Sequence, residues 1–453
     1  MYLKKGDLIE LSISDVVYKG YGLGRYNNIA IFIPFTDIGD KVKAKITERK
    51  KTYCYAKLIE ILEKSPDRIK PVCPYFTKCG GCSWQHIPYE KQLSIKRKIV
   101  KESFEKLGNI SISEPEITPS PEIYHYRNKM EFSFGIDENG MITIGQHVLG
   151  KFNEIVSIEK CLLHPPIFDK AVYFVRKFLK NYKISVWDAV SHQGSLRQLM
   201  LRYGKNTDEL MIVITSSDES LAGFIENFAN YLFENIPQLK SFFWAKNTRL
   251  SDVFAMEEIF FKKGKDYITE KLGNKIYKIS PLSFFQTNTM AAKLLYDKVK
   301  EYCNLRGYEE ILDAYCGTGS IGIYLADKAH KIWGIDVIGD AIFNARENAK
   351  LNKLENTVFL QGQLRNILPS VKTIMKNLDV IIIDPPRAGM HKKAIKHLIS
   401  LNVNKIIYVS CNPTTLARDL SKFVEAGYKL KNVHAFDMCP HTYHIESVVL
   451  LEK

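Results

Sequence analysis

The spacing of hydrophobic and polar residues changes character twice along the chain. The first part, residues 1–63, holds four short β-rich runs, at 8–13, 29–33, 41–46 and 53–61. Turn-forming residues separate these runs, among them Gly20, Gly22 and Gly24. Short runs of alternating apolar residues bounded by turns predict strands that bury one face. We therefore expect this part of the chain to form a small antiparallel β-barrel.

The middle part, residues 64–275, mixes two kinds of periodicity. A basic helical pattern at 90–107 follows a proline-rich stretch, and we expect this helix to pack on the C-terminal domain as a connector. Further strand and helix patterns follow it, at 129–135, 166–182, 196–203, 209–216 and 219–233. Strands and helices mixed in this irregular order predict an α+β domain.

The last part, residues 276–453, alternates regularly between the two patterns. Helical patterns separate short hydrophobic strands at 311–315, 332–336, 358–360, 380–384 and 406–410. Such an alternation predicts a doubly wound parallel sheet, and therefore a Rossmann-like α/β domain. Ligands of open α/β sheets bind at the carboxyl ends of the strands, so the residues that follow each strand are the candidates for function.

Composition narrows the class of partner. The 453 residues include 64 Lys and Arg against 50 Asp and Glu, and the net charge of +14 favours a nucleic acid or an anionic membrane surface. Lys41, Lys43 and Lys45 lie near Tyr53 and Tyr55, a mixture typical of single-stranded RNA binders, although a solvated strand edge is equally consistent. No apolar run reaches the roughly 18 residues of a membrane span. Because the start of the chain also lacks a signal-peptide pattern, we expect a cytoplasmic protein.

A glycine-rich loop at 313–322 marks a candidate nucleotide site. The loop, Asp313-Ala-Tyr-Cys-Gly-Thr-Gly-Ser-Ile-Gly322, follows one strand and opens a helix. Asp336 ends the next strand, where its carboxylate could bind both hydroxyls of a ribose. A tight turn without a ligand would also use such glycines. Asp313 would repel a diphosphate but could hold the charged amino-acid part of S-adenosylmethionine, so a methyl donor is favoured over NAD.

A cysteine and a glutamate are placed to act at the same edge of the sheet. Cys411 follows the strand at 406–410, close to a predicted helix N-terminus at about Thr414 that would stabilise a thiolate. Glu446 opens the final strand. A thiolate that adds to C6 of uracil makes C5 nucleophilic, and a base must then remove the C5 proton after methyl transfer. An inert Cys411 and a solvated Glu446 are the structural alternatives.

Four other cysteines have the spacing of a metal site. Cys73, Cys79 and Cys82 form a C-x5-C-x2-C pattern, and Cys161 lies further along the chain. Four thiolates can close around a 4Fe–4S cluster or around a tetrahedral zinc ion. The spacing alone does not separate these two alternatives.

Together these motifs resemble the uracil-C5 RNA methyltransferases that use S-adenosylmethionine, specifically the group that acts on 23S ribosomal RNA and carries a TRAM barrel and a 4Fe–4S cluster. The resemblance spans nearly the whole chain and includes Tyr126-Arg-Asn-Lys-Met-Glu-Phe132, Phe284-Phe-Gln286-Thr-Asn288, Asp384-Pro-Pro-Arg387 and the segment from His441 to Glu446. It implies an OB-like TRAM barrel at 1–63, an iron–sulfur α+β domain at 64–275 and a methyltransferase domain at 276–453. A monomer without a membrane partner is expected.

The resemblance also implies roles for single residues. It makes Cys411 the nucleophile and Glu446 the base that removes the C5 proton. The expected contacts of S-adenosylmethionine are Gln286, Tyr315, Ser320, Asp336, Gln363 and Asp384. The expected ligands of the 4Fe–4S cluster, now favoured over zinc, are Cys73, Cys79, Cys82 and Cys161. Phe285 is expected to stack on the target uracil unless it is a core aromatic, and Arg387 to pair with the substrate or with a structural carboxylate.

Two other functions stay open. The first is the same reaction on transfer RNA, against which the barrel and the four cysteines argue, because the related tRNA enzymes commonly lack both. The second is an RNA-binding protein whose methyltransferase domain is not catalytic. The presence of both Cys411 and Glu446 argues against this second alternative.

Overall fold

The computed structural model describes residues 3–371, 373–375 and 377–453. The N-terminal strands are β1 (Leu8–Val17), β2 (Tyr21–Tyr26), β3 (Ile29–Pro34), β4 (Lys41–Arg49) and β5 (Tyr53–Glu63). They close into a barrel in the order β1-β2-β3-β5-β4, with β3 and β5 parallel and the other pairs antiparallel. Alternate apolar residues such as Ile31 and Ala44 fill its interior. The predicted barrel is therefore confirmed.

Strand β2 lies where the glycine pattern predicts only a turn. A Cβ at Gly22 would lie 1.9 Å from Thr36 Oγ1, and a Cβ at Gly24 would lie 2.6 Å from the carbonyl oxygen of Ser12. These two glycines are therefore needed for close packing inside the small barrel. Gly20, with φ of 80°, is the one of the three that has the left-handed conformation of a turn residue.

The predicted basic helix connects the barrel to the rest of the chain. Helix α1 (Tyr89–Ser103) runs into a π-turn (Phe104–Gly108), and strand β6 (Glu116–Thr118) follows. The side chain of Phe104 lies in the core of the C-terminal domain. Strand β6 joins the C-terminal sheet. The connector thus contributes a core residue and a strand to the C-terminal domain.

The central region contains a seven-stranded sheet. Its strands are β7 (Lys129–Ile136), β8 (Ile142–His147), β9 (Ile155–Ser157), β10 (Leu196–Gly204), β11 (Glu209–Ser216), β12 (Leu239–Lys246) and β13 (Glu258–Gly264), in the order β13-β12-β11-β10-β7-β8-β9. Helices α2 (Pro166–Leu179) and α3 (Ile225–Asn235) pack on one face. Met200 and Met211, on the opposite face, belong to the core shared with the C-terminal domain. The hairpin of β14 (Ile268–Leu272) and β15 (Lys275–Ile279) follows, and the expected boundary between 275 and 276 falls inside it.

The C-terminal region is an eight-stranded mixed sheet with helices on both faces. Besides β6, its strands are β16 (Glu310–Ala314), β17 (Lys331–Asp336), β18 (Thr357–Gln361), β19 (Leu378–Ile383), β20 (Lys405–Ser410), β21 (Lys429–Phe436) and β22 (Glu446–Glu452). The helices are α4 (Thr289–Cys303), α5 (Ser320–Leu325), α6 (Gly339–Leu351), α7 (Leu364–Val371), α8 (Lys392–Ser400) and α9 (Pro413–Glu425). The strand order is β18-β17-β16-β19-β20-β22-β21-β6.

The five strands β16 to β20 are parallel, as the alternating pattern predicts, and they confirm the Rossmann-like sheet. The remaining edge differs from a purely parallel sheet, because β22 runs antiparallel to both β20 and β21. This reversal places the first residue of β22 at the carboxyl end of β20. None of the helices in the described part of the chain is long and apolar enough to cross a membrane.

Candidate active site

A cavity of about 1290 Å³ lies at the carboxyl ends of the parallel strands. The residues expected from the sequence to take part in methyl transfer all line this cavity: Gln286, Tyr315, Ser320, Asp336, Gln363, Asp384, Cys411 and Glu446. They are up to 160 positions apart, and the sheet topology brings them together. The structure therefore places the expected donor contacts and the expected reacting groups around one space.

The glycine-rich loop between β16 and α5 forms one wall of the cavity. Asp313 is 1% exposed, and its Oδ2 accepts a hydrogen bond of 2.9 Å from the backbone N–H of Gly322. Its Oδ1 has no hydrogen-bond partner, and burial raises the pKa of this carboxyl to about 7. Tyr315, Gly317 and Gly319 all have positive φ, of 66°, 54° and 77°. The loop is thus tightly turned and leaves one buried carboxylate oxygen able to accept a ligand proton.

The next strand end supplies a second carboxylate. The Oδ2 atom of Asp336 accepts a hydrogen bond of 3.0 Å from the N–H of Gly317, and its Oδ1 accepts one of 2.9 Å from the N–H of Ile338. These bonds fix the carboxylate, and each oxygen keeps a further lone pair for a ligand. The hydroxyl of Ser320 pairs with the Tyr296 hydroxyl at 2.9 Å.

The antiparallel strand β22 brings Glu446 beside Cys411. Ser410 at the end of β20 pairs with Ser447 of β22, so the residues on the cavity side of this pair are Cys411 and Glu446. The proximity of the two groups is also evident in their electrostatics, because the Glu446 carboxylate raises the pKa of the Cys411 thiol. A thiol and a carboxyl group thus share one end of the cavity.

Arg387 and a helix N-terminus supply the positive potential near Cys411. The Asn412 side chain caps α9 by accepting a hydrogen bond of 3.1 Å from the N–H of Thr414. The charge of the nearby Arg387 guanidinium lowers the pKa of the Cys411 thiol. Burial, together with Glu446, has the larger opposite effect, and the pKa of Cys411 is raised to about 12.

The two carboxyl groups near the thiol have raised pKa values, because burial disfavours their charged forms. Burial and the neighbouring Asp384 raise the pKa of Glu446 well above its usual value, against the opposing charge of Arg387. Burial raises the pKa of Asp384 to about 7. Among the ion pairs of the described residues none involves Arg387, so its expected alternative role in a structural salt bridge is not observed. Its position favours a role at the reacting end of the cavity.

The expected stacking role of Phe285 is corrected by the structure. Phe285 is 6% exposed and packs against Tyr277 in the core, with ring centroids 5.7 Å apart. Its neighbour Phe284 is 62% exposed and lines the cavity. Because the Phe285 ring lies in the core, only the Phe284 ring of this pair reaches the cavity. Phe284 is therefore the aromatic ring available to a substrate base, a role that the FFQ sequence leaves ambiguous.

The four cysteines of the expected metal site lie in one neighbourhood. Burial raises the pKa of the Cys82 thiol to about 12, and the nearby Cys161, Cys79 and Cys73 raise it further. The Gln85 side-chain amide donates a hydrogen bond of 3.3 Å to Cys82 Sγ. Over the described residues, however, no group of three or more His, Cys, Asp or Glu side chains has the arrangement of a metal-binding site. The structure thus brings the cysteines together without showing a metal centre.

Comparison with known proteins shows the family of the chain. Residues 3–59 match the TRAM domain, and residues 254–453 match the tRNA (Uracil-5-)-methyltransferase family. An uncharacterized RNA methyltransferase of Caldanaerobacter subterraneus subsp. tengcongensis is 37% identical, with 100% of each chain covered. Another, of Clostridium tetani, is 38% identical over 100% of this chain and 99% of the relative.

A solved structure also matches over the full length. The Pyrococcus abyssi tRNA (uracil-54, C5)-methyltransferase in complex with S-adenosyl-L-homocysteine is 33% identical, with a TM-score of 0.81. The match covers 98% of this chain and 99% of that one, and so it includes the barrel. The presence of a barrel was expected to argue against a transfer RNA substrate. This similarity shows that it does not. With the full-length relatives and both domain matches in agreement, the chain belongs to the family of RNA (uracil-5-)-methyltransferases.

Proposed function

We propose that this enzyme transfers a methyl group from S-adenosylmethionine to C5 of a specific uridine in RNA, with Cys411 as the nucleophile and Glu446 as the base. The observation that carries the proposal is the placement of these two groups side by side at one end of the cavity. The glycine-rich loop and the carboxylates of Asp313 and Asp336 line the same cavity. The methyl donor and the target base therefore have one space in which to meet.

The cavity residues fit S-adenosylmethionine, which supplies an electrophilic methyl group when bound. The unpartnered, buried Oδ1 of Asp313 is suited to the ammonium group of the donor. Asp336, fixed at the end of β17, is suited to the ribose hydroxyls. The remaining wall positions that we assign to the donor are Gln286, Tyr315, Ser320, Gln363 and Asp384.

The residues of the chain then account for the covalent steps. The Cys411 thiolate forms a bond to C6 of uracil, and the electron pair of the C5–C6 double bond moves toward C5. C5 takes the methyl group as the methyl–sulfonium bond of the donor breaks, which leaves S-adenosylhomocysteine. Glu446 removes the C5 proton, the double bond re-forms and the thiolate leaves C6. Arg387 favours negative charge on the sulfur. Stacking on Phe284, worth about 1 to 3 kcal/mol, offsets part of the few kcal/mol needed to flip the base out of its stack.

We assign a 4Fe–4S cluster to Cys73, Cys79, Cys82 and Cys161. The support is the convergence of the thiols and the amide groups directed at their sulfurs: the N–H of Gly81 donates to Cys79 Sγ at 3.3 Å, in addition to the Gln85 contact with Cys82. Anaerobically purified protein should be brown and absorb near ~400 nm, as iron–thiolate clusters do. Colourless protein that contains stoichiometric zinc would overturn this assignment.

We propose 23S ribosomal RNA as the substrate, because the combination of barrel and cysteines resembles the enzymes of that group, and the cytoplasm as the location. Transfer RNA is the second candidate, and the full-length similarity to the Pyrococcus abyssi tRNA enzyme supports it. Both candidates use the same cavity and the same chemistry, so the active site does not separate them.

A labelling experiment tests both the reaction and the substrate. Anaerobically purified protein is incubated with methyl-labelled S-adenosylmethionine and with either unmodified 23S ribosomal RNA or bulk transfer RNA, followed by digestion to nucleosides. We expect labelled 5-methyluridine from ribosomal RNA and none with the Cys411→Ala variant. Label in transfer RNA alone would establish the second substrate. Absence of label in both RNAs would favour the non-catalytic RNA-binding alternative.

A further inference from the structure

Residues 437–445, here called the base loop, connect β21 to Glu446 and are held largely by residues from outside the methyltransferase domain. At the start of the loop, Lys96 Nζ of α1 lies 2.6 Å from Asp437 Oδ1 and 3.3 Å from the carbonyl oxygen of Cys439. The side chains of Lys96 and Asp437 are fully buried. Breaking a buried ion pair of this kind leaves an uncompensated charge, so this end of the loop is firmly anchored.

The middle of the loop is held in a strained conformation. His441 has φ of 64°, which is unfavourable for a residue other than glycine. Its carbonyl oxygen accepts hydrogen bonds of 3.0 Å from the N–H groups of both Ser83 and Trp84, and its own N–H donates one of 2.9 Å to Gln92 Oε1. Its ring stacks on Tyr124, with centroids 4.6 Å apart and planes inclined by 22°.

These contacts join the cysteine segment to the catalytic base. Ser83 and Trp84 follow Cys82 directly in the chain, and the Gln92 side chain donates a hydrogen bond of 3.1 Å to the Trp84 carbonyl oxygen. A strained backbone conformation persists only where the surrounding contacts hold it in place. At His441 these contacts come from four residues outside the methyltransferase domain. His441 is five positions before Glu446, at the entry to β22.

We propose that Ser83, Trp84, Gln92 and Tyr124, here called the base clamp, position Glu446 for removal of the C5 proton. On this view the cysteine segment contributes to the chemical step, through the backbone that it presents to His441. The inference rests on the proposed function, since it assigns the clamp to one step of that reaction. Gln92 and Tyr124 are positioning residues, because they act through His441 and not on the substrate.

The clamp is expected to affect proton removal and to spare nucleophilic attack. Cys411 lies on a different segment, where Asn412 caps α9 and its side-chain amide donates a hydrogen bond of 2.9 Å to the carbonyl oxygen of Arg387. A displaced base loop therefore leaves the attack on C6 and the methyl transfer in place. The methylated covalent adduct between Cys411 and RNA should then accumulate, because its breakdown requires Glu446.

Tyr124→Leu, which removes the ring that stacks on His441, tests the clamp, with Tyr124→Phe as the matched control that keeps it. We expect steady-state methylation by Tyr124→Leu to be about tenfold slower than by wild type. This loss is smaller than the roughly 100-fold or greater loss expected when a general base is removed, because Glu446 is displaced and not absent. Denaturing electrophoresis should show accumulated protein–RNA adduct for Tyr124→Leu and none for Tyr124→Phe. RNA with 5-fluorouridine at the target, which has no C5 proton to remove, should trap both variants no more slowly than wild type, because a displaced Glu446 no longer raises the pKa of the Cys411 thiol.

The outcomes separate this inference from the proposed function. If wild-type protein methylates RNA and Glu446→Gln accumulates adduct, the proposed function holds. Two results for Tyr124→Leu would then overturn the clamp. One is methylation at the wild-type rate. The other is less adduct together with a slower reaction with the 5-fluorouridine RNA. Should Tyr124→Leu fail to fold, as judged by thermal unfolding, Gln92→Met decides by the same two readouts. Failure of wild-type protein to methylate any RNA would instead overturn the proposed function.

Discussion

At the proposed nucleophile, burial and the adjacent Glu446 raise the pKa of the Cys411 thiol to about 12, and the guanidinium of Arg387 only partly opposes them. A thiol in this state is almost fully protonated near neutral pH. Below its pKa, each unit of pH raises the thiolate fraction about tenfold. Burial, Glu446 and Arg387 together therefore set how much of the reactive thiolate is present.

We predict that the rate of covalent attack rises with pH. Single-turnover adduct formation on RNA that contains 5-fluorouridine should increase about tenfold per unit between roughly pH 6.5 and 8.5, because only the thiolate attacks C6. Arg387→Gln should be slower at each pH, since loss of the guanidinium raises the pKa of Cys411 further. A rate that does not change with pH would show that the thiol is already ionised when RNA and methyl donor are bound.

Asp313 provides a prediction about stability. Burial raises its pKa from 3.8 to about 7, so the folded protein keeps a proton that the unfolded chain has lost. The contribution of protonated Asp313 to the free energy of unfolding is complete below about pH 4. It is lost as the pH rises to about 7, and this loss is at most about 4 kcal/mol. The midpoint temperature of thermal unfolding of Asp313→Asn should therefore exceed that of wild type by a margin that grows from pH 5 to about pH 7 and is constant above it, while S-adenosylmethionine binds more weakly. A margin independent of pH would contradict the buried, unpartnered state of this carboxyl group.

At the level of elements, the sequence predicts those strands in which the pattern of apolar residues matches the pattern of buried residues. The alternating runs of β1, β3, β4 and β5 and the hydrophobic runs of β16 to β20 are of this kind. Strand β2 is different, because Gly22 and Gly24 are required by contacts with Thr36 and Ser12 that the local sequence does not show. The pairing of β22 with β20 is likewise a tertiary property, although it decides where Glu446 lies.

The barrel glycines yield a prediction at this scale. Gly24→Ala places a Cβ 2.6 Å from the backbone oxygen of Ser12, which cannot move without displacing β1. We expect a loss of about 1 to 3 kcal/mol in the free energy of unfolding, together with weaker RNA binding. Gly223→Ala is the matched control, since no atom lies within 4 Å of its added Cβ. Equal denaturation midpoints for the two variants would show that the barrel accommodates the extra methyl group.

At the scale of the whole molecule, the sequence predicts those cavity residues that lie at or directly after the ends of parallel strands. Asp313, Asp336, Asp384 and Cys411 are of this kind, because the ends of parallel strands meet at one edge. The sequence does not show which of Phe284 and Phe285 lines the cavity, because the two rings are adjacent in the chain and differ only in their burial. Contacts that span hundreds of positions leave no local signal, and the base clamp consists of such contacts.

The three regions of the chain therefore contribute to one reaction centre. The parallel sheet supplies the cavity and the proposed nucleophile, and the antiparallel edge supplies the proposed base. Helix α1 and the cysteine segment hold the base loop. The barrel also reaches this centre, because the Tyr18 hydroxyl donates a hydrogen bond of 3.1 Å to Asn412 Oδ1 beside the nucleophile. Separation of the regions should therefore impair catalysis as well as RNA binding.

The most direct test of this account is mass spectrometry of the adduct formed by Glu446→Gln with substrate RNA and S-adenosylmethionine. After digestion with protease and nuclease, we predict a peptide that contains Cys411 linked through sulfur to a nucleotide carrying the added methyl group. That product would identify the nucleophile, the methylated base and the step that requires Glu446. An unmodified Cys411 peptide, together with 5-methyluridine released at the wild-type rate, would contradict the assignment of both residues.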